Sequence, residues 1–316
     1  MKIVLLIILT LSSLLATNIV MPTSIYKADG AVTDIVYSDS KLYASTSVGV
    51  VNVFDTQSKK IIQSIGVSKI KDFMGDEINA RIYSVDVLGE KILILSQGLK
   101  GYRELSIYEN NTLTKIISVS DKLSIAKAKF INKNSVILAL LSNDIISYDL
   151  NTKKENWVTQ ASQSKFSNFV LNEDKSEVVV ADESGELKIY ATSNAKLIKV
   201  LSGQNLDNVF DVDYKNNTIA TAGQDRRAVV YDLKFNSAYY KTSHFLIYSV
   251  GLSPNATLAA FASDEKNNVT VFKTNTKSSV GVYGGNKMTL TKILFISQNT
   301  FFVASDDSVI NFYKIK

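Results

Sequence analysis

The chain has no cysteine, one histidine, one tryptophan, two prolines and four arginines in 316 residues. Each shortage excludes something. Without cysteine there are no disulfides, no thiolate ligands and no cysteine-linked lipid, and stability is independent of redox compartment. The single histidine, His244, rules out histidine-rich metal sites and leaves one possible base for a Ser-His-Asp arrangement. Its setting in TSHFLIYS, a loop entering a strand, suits a structural role better. Two prolines exclude proline-rich spacers. No glycine-rich phosphate loop precedes a helix, and helical spacing is absent beyond the first 16 residues. Charge of either sign is also modest: 35 basic against 30 acidic residues give +5. That is far from a nucleic-acid footprint, so no nucleic-acid partner is expected.

The exception at the N-terminus is MKIVLLIILTLSSLLA. One lysine precedes an apolar run and then small residues ending at Ala16, the pattern of a secretory signal peptide. The run is short for a membrane span, which needs about 20 residues. Residues 1–16 are therefore expected to be a leader that directs export, with no membrane span after cleavage. Residues 17–316 are expected to be one domain and a monomer.

What is present in quantity is a repeat. VGVVNVFDT, LSIYEN, NDIISYDL, SGELKIYAT, AVVYDL, NNVTVFKT and SVINFYKIK each close on an aromatic: Phe54, Tyr108, Tyr148, Tyr190, Tyr231, Phe272 and Tyr313. Successive separations are 54, 40, 42, 41, 41 and 41 residues. The long first gap is accounted for by an insertion, SKIKDFMGDEIN (68–79). Within a unit, VFDVDY, TIATAG, AVVYDL and AYYKTS alternate in polarity and are separated by Asn, Asp, Gly and Lys, the signature of four antiparallel strands joined by tight turns. A unit this small cannot bury both of its faces, so neighbours must stack. Radial stacking of seven four-stranded sheets predicts an all-β, seven-bladed propeller.

These units resemble WD40 repeats: Asp225, an apolar run and Tyr231-Asp232 in the fifth, and the Ser-Pro-Asn turn with Ser263-Asp264 in the sixth. No unit carries Trp-Asp, and Gly-His is missing before every first strand. The hydrogen-bond network that often ties such blades together is therefore not expected here. The single tryptophan, Trp157, also disfavours the quinone-dependent dehydrogenase propellers. The last unit stops one strand short at Lys316, while TSIYKADG (23–30) is a strand without a blade. Residues 23–28 are predicted to complete the last blade, removing two open edges.

In such a ring, connections between blades share one end with the turns between second and third strands. That end should carry the insertion, with Phe73, Met74, Asp76 and Glu77, and all four arginines: Arg81, Arg103, Arg226 and Arg227. It should also carry the acidic turns at Asp144, Asp182-Glu183, Asp225, Asp264-Glu265 and Asp306-Asp307. The other end receives lysine-rich turns such as QSKK and TKKEN. One reading is a docking face for a protein partner, with Phe73 and Met74 as apolar contacts and the arginines as bidentate partners for carboxylates. The plainer reading of the acidic turns is that aspartate shapes them, and Phe73 and Met74 are equally able to plug the loop onto its blade. The alternative function is a small-molecule or calcium-binding propeller, hydrolytic or not, using inward carboxylates at the central channel. No aspartate cluster has the spacing of a dedicated calcium loop.

Four stretches carry a narrower resemblance: KDFMGDEINARIYSVD (71–86), SKFSNFVLNEDKSEVVVADESG (164–185), DNVFDVDYKNN (207–217) and AGQDRRAVVYDL (222–233). They are similar to NapL-type proteins, WD40-like propellers encoded beside periplasmic nitrate reductases in bacteria. The resemblance implies a periplasmic, non-enzymatic accessory protein of nitrate respiration that contacts reductase components. It implies no cofactor and no catalytic residues. With one histidine and no cysteine, the chain lacks the usual ligands for haem.

Overall fold

The second strand of each repeat is apolar almost without interruption, as in Ile92–Leu95, Val178–Ala181 and Phe301–Ala304, and is buried on both faces. Outer strands such as Ile61–Gly66 and Lys154–Gln160 are largely exposed. That gradient is what a sheet shows when its middle is sandwiched between neighbours and its rim meets water. The computed structural model describes residues 18–316. The leader expected at residues 1–16 lies outside the described residues.

Seven antiparallel sheets are built on four strands each in 32–66, 82–117, 125–160, 166–201, 209–242 and 250–283, and on three strands in 290–314 completed by Ser24–Lys27. They are called blades 1 to 7, with strands a to d running from the axis outward. Strand a of each blade packs on strand a of the next, and blade 7 returns to blade 1. The fold is the expected seven-bladed propeller. Six core clusters lie between blades rather than at a single centre. The repeating strand-c aromatics plug these interfaces. Six are buried, and Tyr108, half-buried, accepts a bond from Gln63 of blade 1 at 2.6 Å.

Tight turns follow the predicted chemistry. Asp39-Ser40, Asn110-Asn111 and Asn216-Asn217 all have positive φ at both positions. Paired left-handed residues match the twist of the strands they join, and Asn and Asp tolerate that conformation.

Closure is as predicted. Ser24–Lys27 pairs antiparallel with strand c of blade 7 in the register Ser24↔Phe312 to Lys27↔Val309. Thr23 and Ala28 extend it through backbone bonds of 2.8 Å to Phe312 and Ser308. Tyr26 turns inward, 3% exposed, and meets Phe54 and Phe302 edge-on at 5.6 and 5.3 Å between centroids. One strand therefore joins the two chain ends and packs on blade 1. The sequence did not suggest a second contact. Ile19–Val20 pairs parallel with Val282–Tyr283, making blade 6 five-stranded. Gly284 admits this arm, since a Cβ there would lie 2.6 Å from Ile19 Cγ2.

Tyr26→Ala is expected to lower stability by about 3–5 kcal/mol, the usual cost of emptying a buried aromatic site. Ile25→Ala, on the solvent side of the same strand, should stay within about 0.5 kcal/mol. Chemical denaturation of the two variants distinguishes a closure strand from a loosely attached terminus.

Candidate functional site: the upper face and the channel

The chain enters each strand a from the connection between blades. These connections and the b–c turns form one end of the ring, the upper face; the a–b and c–d turns form the lower. The longest departure from the repeat is a small hairpin in the blade 1–2 connection, in which Ile70–Lys71 pairs with Glu77–Ile78. Its tip is shaped by Asp72, whose Oδ1 accepts the amides of Met74 at 2.8 Å and Asp76 at 3.0 Å. Gly75 takes the left-handed position at φ +91°. Phe73 is 96% exposed and Met74 72%. They do not plug the loop onto the blade: the hairpin presents them to solvent. Asp76 and Glu77 are exposed beside them, Glu77 paired with Lys69 at 3.1 Å.

All four arginines reach the upper face but do not form one patch. Arg81 and Arg103 belong to blade 2, and Arg226 and Arg227 lie three blades away on blade 5. Two of them are also engaged within the chain. Arg103 donates from Nη1 to the Gly101 carbonyl at 2.7 Å and lies over the Tyr83 ring at 4.0 Å. Arg227 donates to the Gln204 carbonyl at 2.7 Å and lies over Tyr240 at 4.2 Å. Arg81 and Arg226 remain exposed.

The acidic turns are shaped by their own aspartates. Asp225 accepts the amides of Arg227 and Leu206, at 3.0 and 2.8 Å. Asp264 accepts the amides of Lys266 and Asn268, both at 3.0 Å. Asp182 accepts bonds from Ser162, Ser184 and Asn143. The burial of Asp182 opposes ionisation, but these donors more than offset it and hold its carboxyl below the ordinary value. Against expectation, a network between connection and blade exists, in altered chemistry: asparagine and tyrosine stand in for the missing Gly-His and Trp-Asp. In blade 5, Asn205 donates to the Tyr231 hydroxyl at 3.0 Å and accepts from Thr221 at 2.7 Å. Asn286 has the corresponding place in blade 7 with the tyrosine bond reversed, its Oδ1 accepting from Asn311 at 2.8 Å and from the Tyr313 hydroxyl at 3.3 Å.

The channel holds a group that went unnoticed in the sequence. Six of the seven inner strands carry a bulge at the same place. Just past it stand Asp34, Ser84, Lys127, Asn168, Asp211 and Lys292, with Ser249 at the matching position of blade 6. Six of these side chains tie their blade to the next, and in blade 7 Thr291, beside Lys292, makes the link. Asp34 accepts the Val85 amide at 3.2 Å, and Ser84 the Ala128 amide at 3.3 Å. Lys127 donates to Asn168 Oδ1 at 2.6 Å and to the Phe169 carbonyl at 2.8 Å. Asn168 donates to Asp211 Oδ1 at 2.9 Å, and Asp211 Oδ2 accepts from Ser249 at 2.9 Å. Ser249 accepts the Ile293 amide at 3.0 Å, and Thr291 donates to the Val32 carbonyl at 3.2 Å, returning to blade 1. Ion pairs cross the ring as well: Lys129–Asp34 at 3.2 Å, Lys129–Asp86 at 3.8 Å and Lys292–Asp211 at 3.3 Å. A signal for this ring was available: these seven polar residues recur in apolar strands at separations of 50, 43, 41, 43, 38 and 43.

Burial alone would raise the Asp34 carboxyl, but the neighbouring Lys129, Lys127 and Lys292 hold it below its ordinary value. Burial and repulsion from Lys292 and Lys129 push Lys127 down to about 7. For Lys292, burial is outweighed by Asp211, Asp213 and Asp34, which hold its ammonium above the usual lysine range. The inward carboxylates Asp34, Asp86 and Asp211 are thus committed to lysines and amides. Among the described residues no group of three or more His, Cys, Asp or Glu is placed to hold a metal ion. His244 is exposed, and its side chain makes no hydrogen bond among those residues. No helix of the described residues is long and apolar enough to cross a membrane.

Comparison with known proteins shows the fold and no more. No family model matches the chain, and no curated protein matches it in sequence. Among solved structures it is similar to a chain of the one titled "Crystal Structure of Mitotic Checkpoint Complex", at 12% identity and a TM-score of 0.75. The likeness covers 95% of this chain and 93% of that one. The architecture is that of a WD40-like seven-bladed propeller.

Lys292→Met leaves the Asp211 carboxylate buried without its cation and is expected to cost about 3–5 kcal/mol in denaturant unfolding. Lys127 behaves oppositely with pH. Its folded value lies below its unfolded one, so the unfolded chain binds the extra proton between about pH 7 and pH 10. The resulting penalty is complete below about 7 and fades as pH rises. The stability of the wild type relative to Lys127→Met should therefore improve from pH 6.5 (roughly) toward pH 10. A flat difference across that window would contradict a strained ammonium in the channel.

Proposed function

We propose that this propeller is a non-enzymatic docking module whose upper face binds a protein partner. The observation that carries the reading is the distribution of exposed large apolar side chains between the two ends of the ring. Among the described residues, Phe73, Met74, Leu99, Leu141, Leu206, Phe245 and Met288 stand on the upper face, whereas the lower turns expose only Phe235. The upper end has the longer connections, but seven exposed large apolar side chains against one exceed what that extra length accounts for. Exposed apolar side chains gathered on one face are the usual mark of an interaction surface. The channel supports the same reading from the other side, since its polar groups are spent on joining blades.

The apolar leader supports export, and the resemblance to NapL-type proteins supports a place beside periplasmic nitrate reductase components. On this reading the protein acts in the periplasm by contact and carries no cofactor. Its use of the upper face depends on the hairpin more than on the arginines.

A photo-crosslinking residue placed at Phe73, Leu206 or Phe235 of the full chain in its native cell tests the face. Adducts at 73 and 206 without one at 235 are expected; adducts confined to 235 would overturn the assignment. Mass spectrometry of the adduct and fractionation of the cell then test the nitrate reductase and periplasmic parts separately. Phe73→Ser with Met74→Ser should leave thermal stability within about 0.5 kcal/mol of wild type, because neither side chain is packed. The same pair should remove most of the adduct formed from Leu206.

A further inference from the structure

The hairpin leans over blade 2 and makes two grooves. One, of about 710 Å³, runs between its tip and the Gln97–Gly101 turn. The other, of about 470 Å³, lies on its opposite flank, against Lys115 and the 118–120 turn. Ile70, Phe73, Met74, Ile78 and Leu99 supply the apolar lining.

The charges around the grooves are unequal in what they have left to offer. Glu77 is held by Lys69 at 3.1 Å, and Glu104 by Lys115 at 2.7 Å. Asp72 is occupied by the amides of its own turn. Asp121 accepts both the amide and the hydroxyl of Ser118, at 2.7 and 3.0 Å. Among the described residues, Asp76 is the one carboxylate here with no donor. Against it stand Lys71, Arg81, Lys100 and Lys122, whose charged groups make no ion pair. The surface looks mixed in sequence, but its unspent charge is positive.

We propose that these grooves receive an acidic, apolar segment of the partner protein. A side chain of leucine or phenylalanine size would sit among Phe73, Met74 and Leu99, with flanking carboxylates on Lys71 and Lys100. The proposal rests on the docking-face reading above and adds the chemistry of the ligand. Complementary charge at such a rim chiefly governs selectivity and association rate, and exposed pairs are screened by salt. Selectivity and salt dependence are therefore the quantities to read.

The full chain is titrated, by fluorescence anisotropy, with two labelled synthetic peptides of equal length, one repeating Leu-Glu and the other Leu-Lys. The Leu-Glu peptide is expected to bind about tenfold more tightly, a difference of about 1.4 kcal/mol, and to weaken as salt is raised. Lys71→Glu with Lys100→Glu should reverse the preference, and Phe73→Ser with Met74→Ser should remove binding of both peptides. Equal affinities, no binding by either peptide, or a charge-reversed variant that binds unchanged would each overturn the proposal. Crosslinks at Phe73 alongside undiscriminated peptides would sink this inference and leave the docking face standing. Crosslinks confined to Phe235 would remove the docking face itself.

Discussion

The register of the blades depends on seven polar side chains near the head of the inner strands, six of them just past a bulge. A propeller blade is a small sheet, and nothing within one sheet states where its neighbour must sit. The bulge turns one side chain per blade toward the next, and a backbone amide or carbonyl of the neighbouring strand receives it. Asp34, Ser84 and Ser249 accept amides; Lys127 and Thr291 donate to carbonyls. A buried amide left without a partner costs more than a bond gains, so the ring opposes any slip of one blade against another. The ion pairs across the channel have a different weight. Removing lysines and aspartates from water is expensive, and their attraction roughly offsets that cost. Their value is in position more than in net stability.

The outward layers follow from that register. Once neighbouring inner strands are aligned, the continuous apolar second strands face each other and the third-strand aromatics meet between blades. The outer strands are left half in water. The closing strand works within the same geometry, because Tyr26 reaches both Phe302 of its own blade and Phe54 of the first. Asn205 and Asn286 show how connections are tied down without the histidine and tryptophan of the related repeats: an amide donates and accepts at once, and tyrosine supplies the hydroxyl.

Legibility differed sharply between fold and face. The aromatic spacing, the tight turns and the orphan strand at residues 23–28 were all readable, because each reports a local or one-dimensional regularity. The aspartates of the turns were also readable, since their bonds run to amides a few residues away. The arginines were not. Arg103 and Arg227 look like Arg81 and Arg226 in sequence, yet aromatic rings and carbonyls brought near by folding engage the first two alone. Phe73 presented the reverse problem. An aromatic in an insertion is as easily a plug as a bait, and only its lack of any packing partner separates the two.

By itself, the sequence determined how many blades there are, where each strand turns, and which strand closes the circle. Those follow from periodicity in polarity and from backbone preferences of Asn, Asp and Gly, which act over a few residues. The tertiary structure alone decided which charges are spent and which remain, and which apolar groups face water. In the channel those outcomes depend on groups far apart in the chain, such as Asp34 with Lys129 (|i−j| 95) and Lys292 with Asp211 (|i−j| 81), and on the upper face on nearer ones, such as Arg227 with Gln204 (|i−j| 23). Coulomb attraction and burial act through space, so the character of the upper face exists only once the connections have folded against their blades.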